Sequence, residues 1–316
     1  HDALPIWERG FVGAGIRLKA VDGTVMMEVP PPENPAPIQS SGGIMRPVLH
    51  EILQRQVRQS GIRISLGVEP VDFATDNAGA TVTLSDGRTE HYDLVVAADG
   101  IGSAFRKKLI PEAPAPQFTG QGCWRIVADR PAEVDRTEMY LGGPVKLGLN
   151  PVSDTKLYAF ILEHVPTNPW YAEHEMLPRV AELLEPFGGH IPAIRAALGP
   201  DSLVNYRPLE WQLLQQPWHR GRIVIIGDAA HATTPHMASG AGLAAEDGLV
   251  LAEELAKTSD LDAALAAFSE RRFERARLVV ENSVRIGEIE MSGGNQMDAN
   301  RMLGDTRSEE RRVGKE

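Results

Sequence analysis

One cysteine, Cys123, stands among 316 residues. That excludes an intrachain disulfide and any metal cage built on several thiolates. It also fits a reducing compartment, so a cytoplasmic location is expected. Net positive charge is missing too: 32 Lys and Arg face 43 Asp and Glu, for a formal charge of -11. Neutralising a phosphate backbone needs clustered cations, so no nucleic-acid partner is expected. No apolar run approaches the roughly 20 residues that cross a bilayer, so stable membrane insertion is not expected. The nine His show no ligand spacing, so no metal is expected. The chain lacks an initial Met, a secretory apolar region and any internal repeat. What it has is 42% hydrophobic and 24% charged residues, enough for a sizeable core in one large or two joined domains.

The two ends read as foreign to the rest. A DNA string that can encode HDALPI, residues 1–6, can encode RSEERRV, residues 307–313, when read as its reverse complement. The string resembles a widely used sequencing adapter, and its continuation would add Gly314, Lys315 and Glu316. Residues 1–6 and 307–316 are therefore expected to be linker-derived tails.

Between them the pattern alternates between helix and strand. Residues 14–29 place apolar residues alternately on either side of Asp22-Gly23, as in a tight hairpin. The Pro-rich run PPPENPAP cannot be regular structure. A helix should follow from about Pro47, with Val48, Leu49, Ile52, Leu53 and Val57 in helical phase and Gly61 as its stop. RISLGV reads as a strand, and TVTLSDGRTEHY as a hairpin around Asp86-Gly87. DLVVAAD is apolar throughout its middle, as a strand covered on both faces would be. Several strand-like runs fill residues 117–165, followed by helical residues around 176–197 and a strand candidate over 206–214. RIVIIGD reads as a second buried strand, and two helices follow, over about 238–257 and 261–291. The implied order is α/β, mostly β, then α/β again: a nucleotide-binding lobe interrupted by a sheet lobe. Expected divisions are 7–115, 116–218 and 219–306, with a hairpin of the sheet lobe inside the first.

Two strands end in acids. DLVVAADGIGSAFR delivers Asp99-Gly100 with Ser103 and Arg106 beyond, and RIVIIGDAAHATTP delivers Gly227-Asp228. Ligands of open α/β sheets collect where strands end. A carboxylate there can accept hydrogen bonds from sugar-like hydroxyls. The small-residue backbone of Gly240, Ala241 and Gly242, opening a helix, can offer N–H groups to phosphate or to an electron-rich ring edge. Those residues on their own point to a nucleotide-cofactor site.

Taken together, the motifs resemble the group A flavoprotein monooxygenases of the para-hydroxybenzoate hydroxylase fold. D-x-x-x-x-A-D-G-x-x-S-x-x-R is matched by Asp93, Ala98, Asp99, Gly100, Ser103 and Arg106. G-D-A-A-H-x-x-x-P is matched by Gly227 through His231 and Pro235, and an R-x-x-L helix start by Arg46 and Leu49. The loop PHMASGAG, with Ala238 and Ser239 where many members have Gly and Gln, is closer to the salicylate-hydroxylase-like branch. The family opens with a strand, G-x-G-x-x-G and a helix; that first βαβ unit is not found here, which fits a chain cut at its N-terminal side.

The resemblance implies an α/β fold: an FAD-binding Rossmann-like (GR2-type) domain, lacking its first βαβ unit, interrupted by a mostly antiparallel β substrate domain. It implies FAD as cofactor, NADH or NADPH as co-substrate, and a small phenol- or benzoate-like aromatic hydroxylated with O2 through a flavin hydroperoxide. Asp228 inherits the flavin ribitol, Asp99 the pyrophosphate and nicotinamide side, and Arg46, Gly227, Gly240, Ala241 and Gly242 supporting contacts. His236 and Tyr206 are the acid/base candidates; Pro235, Arg207 and Trp211 are candidates for touching substrate. Trp124 and Arg125 could reach a pocket, but periodicity leaves their direction open. His231 is expected to support the loop, and Glu246-Asp247 to favour the start of the following helix electrostatically. A homodimer is one assembly the family allows. The rival outcomes are a related reductase or halogenase and a non-catalytic fragment that retains little FAD.

Overall fold

The structure is a computed structural model and describes residues 4–31, 42–293, 301–302 and 304–306. The expected tail 307–316 and most of the Pro-rich run lie outside those residues, while Leu4, Pro5 and Ile6 open a short helix. In chain order the elements are α1 Leu4–Arg9, β1 Phe11–Val12, β2 Ile16–Ala20, β3 Val25–Val29, β4 Gly42–Gly43 and α2 Arg46–Gln59. Next come β5 Pro70–Thr75, β6 Ala80–Leu84, β7 Thr89–Tyr92, β8 Val95–Ala97, α3 Ala104–Leu109 and β9 Gln117–Asp129. Then follow β10 Thr137–Leu141, β11 Lys146–Pro151, β12 Lys156–His164, α4 Glu173–Leu184, α5 Ile191–Ala196 and β13 Val204–Trp211. The chain closes with β14 His219–Arg220, β15 Ile223–Ile225, α6 Asp228–His231, a 3-10 turn Pro235–Met237, α7 Gly240–Lys257 and α8 Leu261–Met291.

Two compact units share these elements: His1–Ile64 with Gly120–Pro208, and Ser65–Thr119 with Leu209–Glu316. The first is built on a seven-stranded sheet in the order β13-β9-β12-β11-β10-β2-β3. The hairpin expected around Asp22-Gly23 forms its edge: Gly23 takes φ 90°, and the Asp22 carboxylate accepts the Thr24 N–H at 2.9 Å. β10 joins β2 in parallel, whereas β2–β3, β10–β11, β11–β12 and β12–β9 pair antiparallel. One face of the sheet buries Trp124, Ile126, Leu147, Leu157 and Ile161 with Val180, Leu184 and Ile191 of α4 and α5. Strand alternation therefore sends Trp124 into that core and Arg125 to the opposite face, where its Nε donates to the Tyr158 hydroxyl at 3.0 Å.

In the second unit, β14, β15 and β8 form one three-stranded sheet and β5, β6 and β7 another. β15 and β8 run in parallel, Val95 opposite Ile223 and Ala97 opposite Ile225. Ile223, Val224 and Ile225 are buried among Phe105, Trp218, Leu251, Phe268 and Val280. Three sequence expectations need correction here. RISLGV forms no strand; β5 starts later, at Pro70, and Ile62 and Leu66 are exposed. Strand propensity alone does not hold a segment extended without a neighbour to take its backbone bonds. DLVVAAD is not covered on both faces: β8 ends its sheet, and Val96 is 43% exposed. The helical stretch around 176–197 is two helices, broken where Gly189 takes φ 63°.

Candidate functional site

The two strand-end motifs meet in the second unit. Because β8 and β15 are parallel neighbours, Asp99 and Asp228 leave the sheet at the same end. Arg106 ties the motifs together: its guanidinium, 1% exposed, donates to the Ala229 carbonyl at 2.7 Å, 123 positions away. Ser103 starts α3 by accepting the Arg106 N–H at 2.9 Å, which aims that side chain. The Asp99 carboxylate accepts the Ala104 and Phe105 N–H groups at 2.8 and 3.2 Å through one oxygen, Oδ2. Asp99 thus shapes the helix start that the motif enters.

Gly227 turns the chain out of β15 at φ 60° and ψ -145°. A residue with a Cβ would be strained in that backbone, and its Cβ would stand 3.3 Å from Ala244 Cβ on α7. The turn therefore lies directly against the first part of α7. Asp228, next along, is exposed, and no hydrogen bond from the described residues reaches its carboxylate. Beside it, α7 begins without a cap: Ser239 makes no side-chain capping bond. The first N–H groups of a helix have no partner inside it, so Gly240, Ala241 and Gly242, with none shown among the described residues, present donors and the positive end of an 18-residue helix. Around Gly242 nothing lies within 4 Å of where a Cβ would stand.

An open carboxylate acceptor beside uncapped amide donors and empty space is a set that fits a polyol chain and an electron-rich ring edge. FAD, with its ribityl hydroxyls and flavin ring, meets that description. Asp228 could hold such hydroxyls, and the amides of Gly240, Ala241 and Gly242 could hold the ring edge or a phosphate.

Beneath the turn lies a network the sequence did not announce. Asp247, 0% exposed, accepts the Gly227 N–H at 2.8 Å and His231 Nε2 at 2.7 Å on Oδ2. Arg272 of α8 donates Nε to its other oxygen at 2.8 Å. Burial alone would raise the Asp247 carboxyl, but the bonds from His231, Gly227 and Arg272 outweigh it and hold the group below the usual carboxylate range. An ionised carboxylate only accepts, so Nε2 of His231 carries the hydrogen. Arg272 also reaches the Leu243 carbonyl and Glu246, and Arg275 pairs with Glu246. Glu246-Asp247 therefore does more than favour a helix start: both acids bind α7 to α8. A signal existed. Buried positions on α7 run Leu243, Asp247, Leu251, Glu254, so Asp247 falls on the apolar stripe, as Arg272 does among Phe268, Ala276 and Val279 on α8.

The remaining candidates scatter. His236 sits in the 3-10 turn with its side chain 1% exposed, Nδ1 2.9 Å from Thr234 Oγ1 and Nε2 3.5 Å from Glu290. Its ring is packed toward α8 rather than presented to solvent. Tyr206 lies in the core of the first unit, its ring 4.7 Å from Trp124 and 4.8 Å from Tyr171. Burial pushes its hydroxyl up to about 12, with Tyr171 and Glu163 adding to the shift, so it is protonated at neutral pH. Gly122 makes room for that ring, since a Cβ there would come within 2.3 Å of it. Arg207 is exposed, Trp211 half-buried against the core of the second unit, and Pro235 exposed at the head of the 3-10 turn. Arg46 is the exposed first residue of α2 in the first unit.

A parallel strand pair ending in two acids, with an uncapped helix after the second, has the geometry of a nucleotide-cofactor site, and similarity to known proteins makes the chain a flavin-dependent monooxygenase. The chain belongs to the FAD binding domain family, whose model matches residues 33–283. It is 33% identical over 252 residues to the putative FAD-dependent monooxygenase YetM of Bacillus subtilis, spanning 79% of this chain and 68% of that protein. It is 31% identical over 291 residues to 2-heptyl-3-hydroxy-4(1H)-quinolone synthase of Pseudomonas aeruginosa, spanning 90% and 74%. In fold it is similar to Klebsiella pneumoniae HpxO crystallised with FAD and uric acid, at TM-score 0.77 and 24% identity over 98% of this chain and 80% of that one.

Proposed function

We propose that the protein inserts one oxygen atom of O2 into a small aromatic or heteroaromatic ring, with FAD as cofactor and NADH or NADPH as reductant. Bound FAD supplies the redox chemistry: it takes a hydride and activates O2. The chain's own groups do the placing. Asp228 would accept hydrogen bonds from the cofactor's polyol, and the first amides of α7 would stabilise the electron-rich edge of its ring. We assign substrate recognition to a lobe over about 116–218 together with the hairpin at 14–29, most of which lies in the unit built on the seven-stranded sheet. The quinolone that the Pseudomonas aeruginosa synthase is named for making, and the uric acid bound to HpxO, support a heteroaromatic as readily as a phenol or benzoate. We place the reaction in the cytoplasm; no helix among the described residues is long and apolar enough to cross a membrane.

The observation that carries this reading is the exposed Asp228, bonded by no described residue, near the uncapped start of α7. Asp228→Asn should weaken FAD binding about tenfold to a hundredfold, the equivalent of about 1.5–3 kcal/mol for a hydrogen bond to a charged group. Its melting temperature without cofactor should stay put. For the reaction, candidate rings are screened for stimulated NAD(P)H oxidation with a matching yield of hydroxylated product. Oxidation without oxygenated product indicates a reductase, and a halogenated product in the presence of halide indicates a halogenase.

A further inference from the structure

We propose that Asp247 is a positioning residue for the flavin site: with His231 and Arg272 it fixes the Gly227 turn, and through it the direction of the Asp228 carboxylate. The inference rests on the flavin-site reading above. Three donors from three places converge on this one buried carboxylate: a backbone amide of the turn, a ring of α6 and a guanidinium of α8. The amide belongs to Gly227, the residue immediately before Asp228. Gly227 holds a backbone conformation that glycine itself populates among many others, so the turn has no local reason to stay in it. The Asp247 bond to its N–H supplies that reason. The same acid holds His231, the last residue of α6, so both ends of the four-residue helix that Asp228 opens are tied to one side chain.

Arg272 supplies the anchorage. It is 3% exposed and clasps α7 at three points, the Asp247 and Glu246 carboxylates and the Leu243 carbonyl. Leu243 follows directly on the amides offered to the cofactor. The arrangement therefore holds the acceptor at Asp228 and the donors at Gly240–Gly242 to one rigid support, while Asp247 itself has no exposed surface with which to touch a ligand. Preorganisation of this kind keeps a binding residue's geometry from being left to chance.

The test uses the full chain with FAD as the probe, read by quenching of flavin fluorescence, alongside hydrogen exchange of the cofactor-free protein. Asp247→Asn should bind FAD about tenfold more weakly. Added to Asp228→Asn, it should change affinity by less than about twofold, because coupled residues are non-additive. Amides 227–231 should exchange faster in Asp247→Asn than in the wild type. His231→Gln, which keeps an N–H for the carboxylate, should retain near-normal affinity, whereas His231→Leu should lose it. That pair carries the test if Asp247→Asn does not fold. Independent, multiplying effects of the two Asp changes would overturn the proposal, as would unaltered affinity in Asp247→Asn or equal loss in both His231 variants. A wild-type chain that takes up no FAD sinks the flavin-site reading and this one with it. Normal wild-type binding with an unaffected Asp247 variant sinks only this one.

Discussion

At the residue scale, Ala238, in the loop after the Gly-Asp motif, is where the backbone takes a conformation that favours glycine. It holds φ 55° and ψ 25°, and no other described residue except glycine has positive φ. The left-handed region costs an L-residue about 1–2 kcal/mol. Glycine relieves that cost but adds about 0.4–1 kcal/mol of unfolded-state freedom. Ala238→Gly should therefore be neutral to about 1 kcal/mol stabilising in urea unfolding, against the usual loss for Ala→Gly. A loss above about 0.5 kcal/mol would show that the strain is relaxed in solution. Asp99 and Asp228 looked alike in the sequence, each an acid beside a glycine at a strand end. The structure separates them: one oxygen of Asp99 is taken by the start of α3, whereas no described group bonds Asp228. Which backbone amides surround an acid depends on how the next helix enters, and a motif of residue types does not contain that.

At the element scale, the contact between α7 and α8 is fastened by charge as well as by apolar side chains: Arg272 and Arg275 pair with Asp247 and Glu246 beside a cluster of Leu243, Val279 and Ile286. Breaking a buried ion pair from one side costs about 3–5 kcal/mol, because the partner is left buried and uncompensated. Arg272→Met should lose about that much. The pH dependence follows with a definite sign. The Asp247 carboxyl is depressed in the folded protein, so its contribution is present above the ordinary carboxylate range and is lost as pH falls through the folded value. Without Arg272 one of the depressing bonds is gone while burial still pushes upward. The acid unfolding midpoint of Arg272→Met should therefore move to higher pH, measured by circular dichroism against pH. A midpoint unmoved or lowered would mean Asp247 is held ionised by His231 and Gly227 alone. The helices themselves were legible from apolar spacing, within a residue or two at their starts. RISLGV was misread for the complementary reason: a strand is a relation between two segments, and only one of them is visible in a local pattern.

Across the whole molecule, each unit owns a core. Phe268 is 0% exposed in the second, among Trp218, Leu265 and Val280. Phe268→Ala removes a ring from that core and should cost about 3–5 kcal/mol. In the first, Gly122→Ala drives a methyl into the Tyr206 ring and should cost about 1–3 kcal/mol by overpacking. Urea unfolding of each variant checks both, and a cost below about 1 kcal/mol at either position would mean that the surrounding side chains close up or give way.

By itself the sequence determined the α/β class, the longest helices, the two Asp-bearing strand ends and the family they resemble. Those rest on short-range chemistry: apolar period, turn dipeptides, and the few residue types a strand end and a helix start tolerate. Only the tertiary structure decided which acid stays open and which is spent on a helix, and that Tyr206 and His236 are packed inward. It alone brought Asp247, Arg272 and His231 together beneath the turn. The reason is physical: burial and hydrogen-bond partnership are set by what residues far along the chain bring to the same place. Arg106 bonding Ala229, and Arg272 bonding Asp247, are facts about packing that no local stretch of sequence carries.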